Sequence, residues 1–74
     1  MGRISVHISK AEARALCGKT PRIIAASETF YLEKIDWRRA AGFERSEGNS
    51  GPRVKVFYDN GGWSEVELND QKGA

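Results

Sequence analysis

Three small groups of residues in this 74-residue sequence could do chemistry. They are Gly18-Lys19-Thr20, the single Cys17 with the single His7, and the carboxylates Glu65 and Glu67. Gly-Lys-Thr is the ending of a phosphate-binding loop. That loop needs a glycine five positions earlier, where the chain has Ala13, and a helix after it whose amides face the phosphates. Here the helix-forming residues come first. Gly18 sits where a short helix needs a positive-φ residue beyond its end, and Pro21 follows. The motif therefore reads as a helix stop, and no nucleotide or other cofactor is expected.

Cys17 and His7 would make a nucleophile and base only within hydrogen-bond reach and with a third group to orient them. A cysteine at a helix end is more often a small buried hydrophobe. One His and one Cys cannot furnish a structural zinc set, and no carboxylate cluster has ligand spacing, so no metal is expected. Glu65 and Glu67 share a strand face with Lys55 opposed to one of them, which reads as a salt-bridged sheet face. No catalytic residue is assigned, and the protein is expected not to be an enzyme.

The remaining chemistry is recognition. Basic residues stand beside aromatics at Trp37-Arg38-Arg39, at Phe43 and Arg45, and along Arg53, Lys55 and Phe57. Aromatic platforms flanked by cations hold single-stranded nucleic acid. Backbone binding also needs uncompensated positive charge, and Glu65 and Glu67 remove it from this track. Aromatic and arginine anchors dominate protein interfaces, so Arg38, Arg39, Phe57 and Trp63 are the candidate partner-binding residues. The better basic track is Lys10, Arg14, Lys19 and Arg22. It could serve a nucleic-acid binder, including a weakly matching helix-turn-helix with a second helix starting at Thr20-Pro21.

The elements that must position these residues are short. In "RISVHIS", Ile4, Val6 and Ile8 alternate with polar residues, predicting a half-buried strand with His7 on its polar side. "SKAE" is a capping-box pattern, with Ser9 as N-cap of an alanine-rich helix from Lys10 to about Cys17. "RIIAAS" reads as a strand. "TFYLEKIDW" has no clean polar helical face and is rich in aromatic and branched residues. It is expected to be a strand, with Tyr31, Ile35 and Trp37 on one face and a helix as the alternative. "RRAAGFERSEGNSGP" reads as a connecting loop.

Two alternating runs flank Asn60-Gly61-Gly62 in "PRVKVFYDNGGWSEVEL", a hairpin signature. A two-residue loop would set Val56 against Glu65, mixing apolar and charged groups. A three-residue loop pairs Val56 with Val66, Val54 with Leu68, Lys55 with Glu67 and Phe57 with Glu65, and puts Gly62 at the left-handed position. The polar tail, about residues 69–74, is expected to fray.

The expected fold class is α+β. It has a small antiparallel sheet in the order β-α-β-β-β-β, one N-terminal helix and a C-terminal hairpin, in a single domain over residues 1–74. A chain of this length buries only about 60% of its unfolded surface, leaving little room for a cleft. Hydrophobic residues make up 39% and charged residues 30%, which suits a soluble folded domain. No apolar run of about 20 residues spans a bilayer, no signal peptide is evident, and the lone cysteine suits a reducing cytoplasm.

Residues 1–26 carry five basic residues against Glu12, whereas residues 27–74 carry seven basic against nine acidic. A basic front and an acidic rear suit a molecule with two polar faces. The reading that follows is a non-enzymatic binding protein that regulates or inhibits a larger protein or nucleoprotein machine by occluding it. Its size and composition resemble those of small phage or mobile-element inhibitors, anti-CRISPR proteins among them. The alternatives are a small DNA- or RNA-binding regulator and an accessory subunit completed by a partner or by homodimerisation.

Overall fold

The computed structural model describes residues 4–48 and 51–68, so the polar tail from residue 69 onwards lies outside the described residues. The chain is α+β, and the described residues form one α-helix and a five-stranded antiparallel sheet. The strands are β1 (Ile4–His7), β2 (Arg22–Ala26), β3 (Ala40–Gly48), β4 (Gly51–Tyr58) and β5 (Trp63–Glu67), in the spatial order β1-β3-β4-β5-β2.

The helix α1 (Lys10–Cys17) forms where local chemistry places it. Ser9 Oγ accepts from the Glu12 amide at 3.1 Å, satisfying one of the free donors of the first turn. Gly18 ends the helix at φ 74°, a conformation open to glycine, and its N–H reaches Arg14 O at 3.1 Å. Ala13 and Cys17 are buried and Leu16 partly so, giving one apolar stripe against the sheet. Thr20-Pro21 leads into β2, so no second helix follows and the helix-turn-helix reading is set aside.

One sheet face carries the core. Cross-strand rows Val6–Arg45–Val54–Val66–Ile23 and Phe43–Val56–Ser64–Ala26 point to the helix side. Val54, Val56 and Val66 are fully buried there. Val6 stands at the sheet margin and is 52% exposed, because the cover does not extend over β1.

Residues 29–37 are not a strand. Thr29–Leu32 form a single 3-10 helix, and irregular turns follow to Arg39. The segment satisfies its backbone locally, through Tyr31 N to Glu28 O (3.0 Å) and Glu33 N to Phe30 O (3.3 Å). It lies across the core face as a strap. Tyr31 and Ile35, four residues apart, turn inward, while Phe30 and Leu32 stay exposed. The Tyr31 ring stacks on Tyr58 with centroids 4.2 Å apart, and Trp37 stacks on Phe43 at 5.9 Å.

The missing strand is β3, in the stretch read as a connecting loop. It is an interior strand, paired with β1 on one side and β4 on the other. Phe43 is its one buried apolar side chain, too little to raise an alternating signal. Two ladders hold it in place of local propensity, one to the distant β1 and one to β4, the next strand along the chain. The strand count expected from sequence therefore stands, with the third strand moved along the chain.

The β4–β5 hairpin has a three-residue loop, one position earlier than expected. Tyr58 N donates to Gly62 O at 2.8 Å and Gly61 N to Tyr58 O at 3.1 Å, enclosing Asp59, Asn60 and Gly61. The pairs are Val54 with Val66, Lys55 with Glu65, Val56 with Ser64 and Phe57 with Trp63. Val56 thus faces Ser64, and Val66 is two residues off its expected partner. A two-residue slip preserves which face each side chain occupies, so the inward and outward sets are as read.

The shift has identifiable causes. Gly61, at φ 92°, takes the positive-φ position assigned to Gly62. Ser64 enters the core, where its hydroxyl donates to Tyr31 O at 3.1 Å and accepts from Tyr58 OH at 3.0 Å. Asn60 Oδ1 accepts from both Gly62 N and Tyr31 OH at 3.0 Å, tying the turn to the strap. No helix among the described residues is long and apolar enough to cross a membrane.

Candidate protein-binding surface

The sheet face opposite α1 has no covering element among the described residues. Central β4 presents Arg53, Lys55 and Phe57 there. Beside it β5 presents Glu67, Glu65 and Trp63, and β3 presents Ser46, Glu44 and Gly42. His7 of β1 and Arg22 of β2 complete the two margins. None of these side chains is fully buried.

Phe57 and Trp63 are direct cross-strand partners and half-buried. Gly42 lies opposite Phe57 on β3, and a Cβ there would make ordinary contact with the Phe57 side chain at 3.9 Å. Lys55 Nζ sits 4.5 Å from the Trp63 ring centroid and 5.8 Å from that of Phe57. Lys55 in turn lies between Glu44 and Glu65. The aromatic pair is thus bordered by a cation lying against both rings. Further along, Arg53 Nη1 reaches Glu65 at 3.5 Å and Arg22 Nε reaches Glu67 at 3.7 Å. Arg22, Arg53 and Lys55 balance Glu44, Glu65 and Glu67, so this face offers no track of free positive charge.

The four candidate anchors are partly brought together. Phe57 and Trp63 pair directly. Arg39 joins them at the hairpin turn, where Asp59 N donates to Arg39 O at 3.0 Å and the Arg39 guanidinium lies 3.4 Å from Asp59. Arg38 is exposed on the strap, in the wall of an open depression of about 560 Å³ shared with Phe30 and Trp37. Phe30, 58% exposed, and Leu32, 45% exposed, are apolar surface residues that the strand expectation did not single out. The inward spacing of Tyr31 and Ile35 is the sequence signal that would have turned them out.

The basic set is dispersed. Lys10 and Arg14 lie on α1, Lys19 in the turn beyond it, and Arg22 on the opposite face beside Glu67. Arg14 stacks over Trp37 at 5.6 Å. His7 and Cys17 are also separated. His7 is an exposed residue of the open face, 3.9 Å from Glu44, whereas Cys17 is buried under α1 on the other face. Burial raises the Cys17 thiol from 9.0 to about 11, which opposes formation of a nucleophilic thiolate. Among the described residues no three His, Cys, Asp or Glu side chains group as metal ligands.

The chain matches no family model, no curated protein and no solved structure, so the reading of this surface rests on its own geometry.

Proposed function

We propose that this protein is a small non-enzymatic binding protein that regulates a larger protein or nucleoprotein partner by occluding it. The Phe57–Trp63 end of the open face, with Arg39 at the adjoining hairpin turn, is the surface it presents, and Arg38 stands separately on the strap. One observation carries the reading: a cross-strand aromatic pair, bordered by Lys55, stands on a sheet face left uncovered among the described residues. Aromatic and arginine side chains yield most binding energy where a partner dehydrates them, and the surrounding ion pairs form the polar rim such interfaces use. The balanced charge of the face favours a protein partner over a phosphate backbone.

The test is affinity capture from host lysate with and without nuclease, using the wild type and two paired variants. Phe57→Ala with Trp63→Ala should abolish capture of a nuclease-insensitive partner. Lys10→Glu with Arg14→Glu should leave it largely intact. The reverse pattern, with capture lost on nuclease treatment, would favour the nucleic-acid reading through Lys10, Arg14, Lys19 and Arg22.

A further inference from the structure

The two margins of the sheet are finished differently. β2 is entered through Pro21, which has no N–H, begins with the charged Arg22, and its register is broken by a bulge between Ile23 and Ala25. Each of these discourages another strand from pairing there. β1 has none of them. Its residues include no Lys, Glu or Pro, and its register against β3 runs unbroken from Ile4 to His7.

The direction of its backbone groups follows from one hydrogen bond. Ile8 N donates to Phe43 O at 3.1 Å, so Ile8 turns its polar groups towards β3. Antiparallel pairing alternates, so Val6 does the same, while Ser5 and His7 turn their N–H and C=O outward. Nothing among the described residues pairs with that edge. Val6, 52% exposed, stands at the margin of the core face beside Arg45.

We propose that β1 is a self-association edge. Two copies of the chain pair β1 with β1 antiparallel about a two-fold axis at Val6, joining two five-stranded sheets into one. The strand's own register identifies a second copy as the occupant. Directly opposed residues must share a sheet face. Setting Val6 against Val6 puts Ser5 against the second copy's His7, and both are outward-turned. Each of the two Ser5–His7 pairs then closes two N–H···O bonds. The valines meet at the non-hydrogen-bonded site, where opposed side chains come closest. No like charges are opposed. A one-residue slip would set Val6 against a residue of the other face. Centring on Ser5 or on His7 leaves the other of the two without a partner in the strand.

A four-residue edge makes a small interface, and small interfaces are weak and transient. Sedimentation of the full chain from about 1 μM to about 1 mM should therefore show a reversible monomer–dimer equilibrium. Ser5→Pro deletes an outward N–H that the β1–β3 ladder does not use. It should leave amide NMR shifts beyond β1 unchanged and the protein monomeric throughout. Register is read by cross-linking in a Cys17→Ala background with oxidised glutathione as the electron acceptor. Val6→Cys places two thiols across the axis with Cα atoms about 4.5 Å apart, within disulfide reach, and should give a covalent dimer. Ser5→Cys and His7→Cys should not. A wild type that stays monomeric, a dimer unaffected by Ser5→Pro, or cross-linking that favours Ser5→Cys over Val6→Cys would overturn the proposal.

Discussion

A methyl group added at Gly62 would collide with the Tyr31 ring and lie 3.1 Å from Ser27 Oγ, whereas one added at Gly61 would have nothing within 4 Å. The two glycines are therefore required for different reasons, space at Gly62 and a backbone φ of 92° at Gly61. Gly62→Ala should destabilise the protein by about 1–3 kcal/mol, the range for overpacking a tight site. Gly61→Ala should cost about 1 kcal/mol, from the positive φ alone. Urea midpoints for the two variants would reveal the order, and equal losses would contradict it. Cys17 makes a separate prediction about pH. Its thiol is raised from 9.0 to about 11 in the fold, so the folded chain holds that proton more tightly than the unfolded chain. The stability this contributes is complete below pH 9 and is lost as pH rises from about 9 to about 11. The stability gap between wild type and Cys17→Ala should narrow across that interval, and a constant gap would count against a buried thiol.

At the scale of elements, the β4–β5 hairpin is fastened to the strap by a short polar network. Ser64, fully buried, links Tyr58 OH to Tyr31 O, and Asn60 links Tyr31 OH to the turn backbone. Ser64→Ala would leave the Tyr58 hydroxyl and the Tyr31 carbonyl buried without that partner, at a cost of about 1–3 kcal/mol. The same network sets the hairpin register. Cross-strand NMR contacts should join Val54 to Val66 and Phe57 to Trp63. Contacts joining Val56 to Val66 would restore the longer register and remove Ser64 from its place. The strap itself has little backbone pairing to hold it and depends on inward side chains, Tyr31 against Tyr58 and Ile35 in the core.

Over the whole molecule, charge arrangement matters more than net charge. The formal excess is only +2, and the open face matches its three Lys and Arg side chains with three glutamates. The remaining cations among the described residues divide between α1, its following turn, the strap and Arg45 of β3, which pairs with Glu47. Binding to duplex or single-stranded oligonucleotides should therefore be no tighter than the micromolar range of non-specific contacts near physiological salt. Fluorescence anisotropy over a salt series measures this directly. Tight binding with a steep log–log salt slope, lost in Lys10→Glu/Arg14→Glu, would transfer the function to the basic set.

Local chemistry was enough to determine α1 from Ser9 to Gly18, because a cap, a run of alanines and a positive-φ stop all act within one short segment. It also determined which face each hairpin side chain occupies, since the period of two survives any even slip. It gave the candidate pair Phe57 and Trp63 as outward residues, but not as partners. Tertiary structure alone decided the rest. β3 has a single buried apolar side chain, Phe43, and is a strand because the distant β1 pairs with one edge of it while the next strand, β4, pairs with the other. Residues 29–37 have the composition of a strand and become a strap because Tyr31 and Ile35 fill the face that α1 leaves open. The hairpin register turned on Ser64 finding Tyr31 and Tyr58, contacts between residues 33 and 6 positions apart. Pairing and packing of that kind depend on which distant segments meet, and no window of neighbouring residues contains that information.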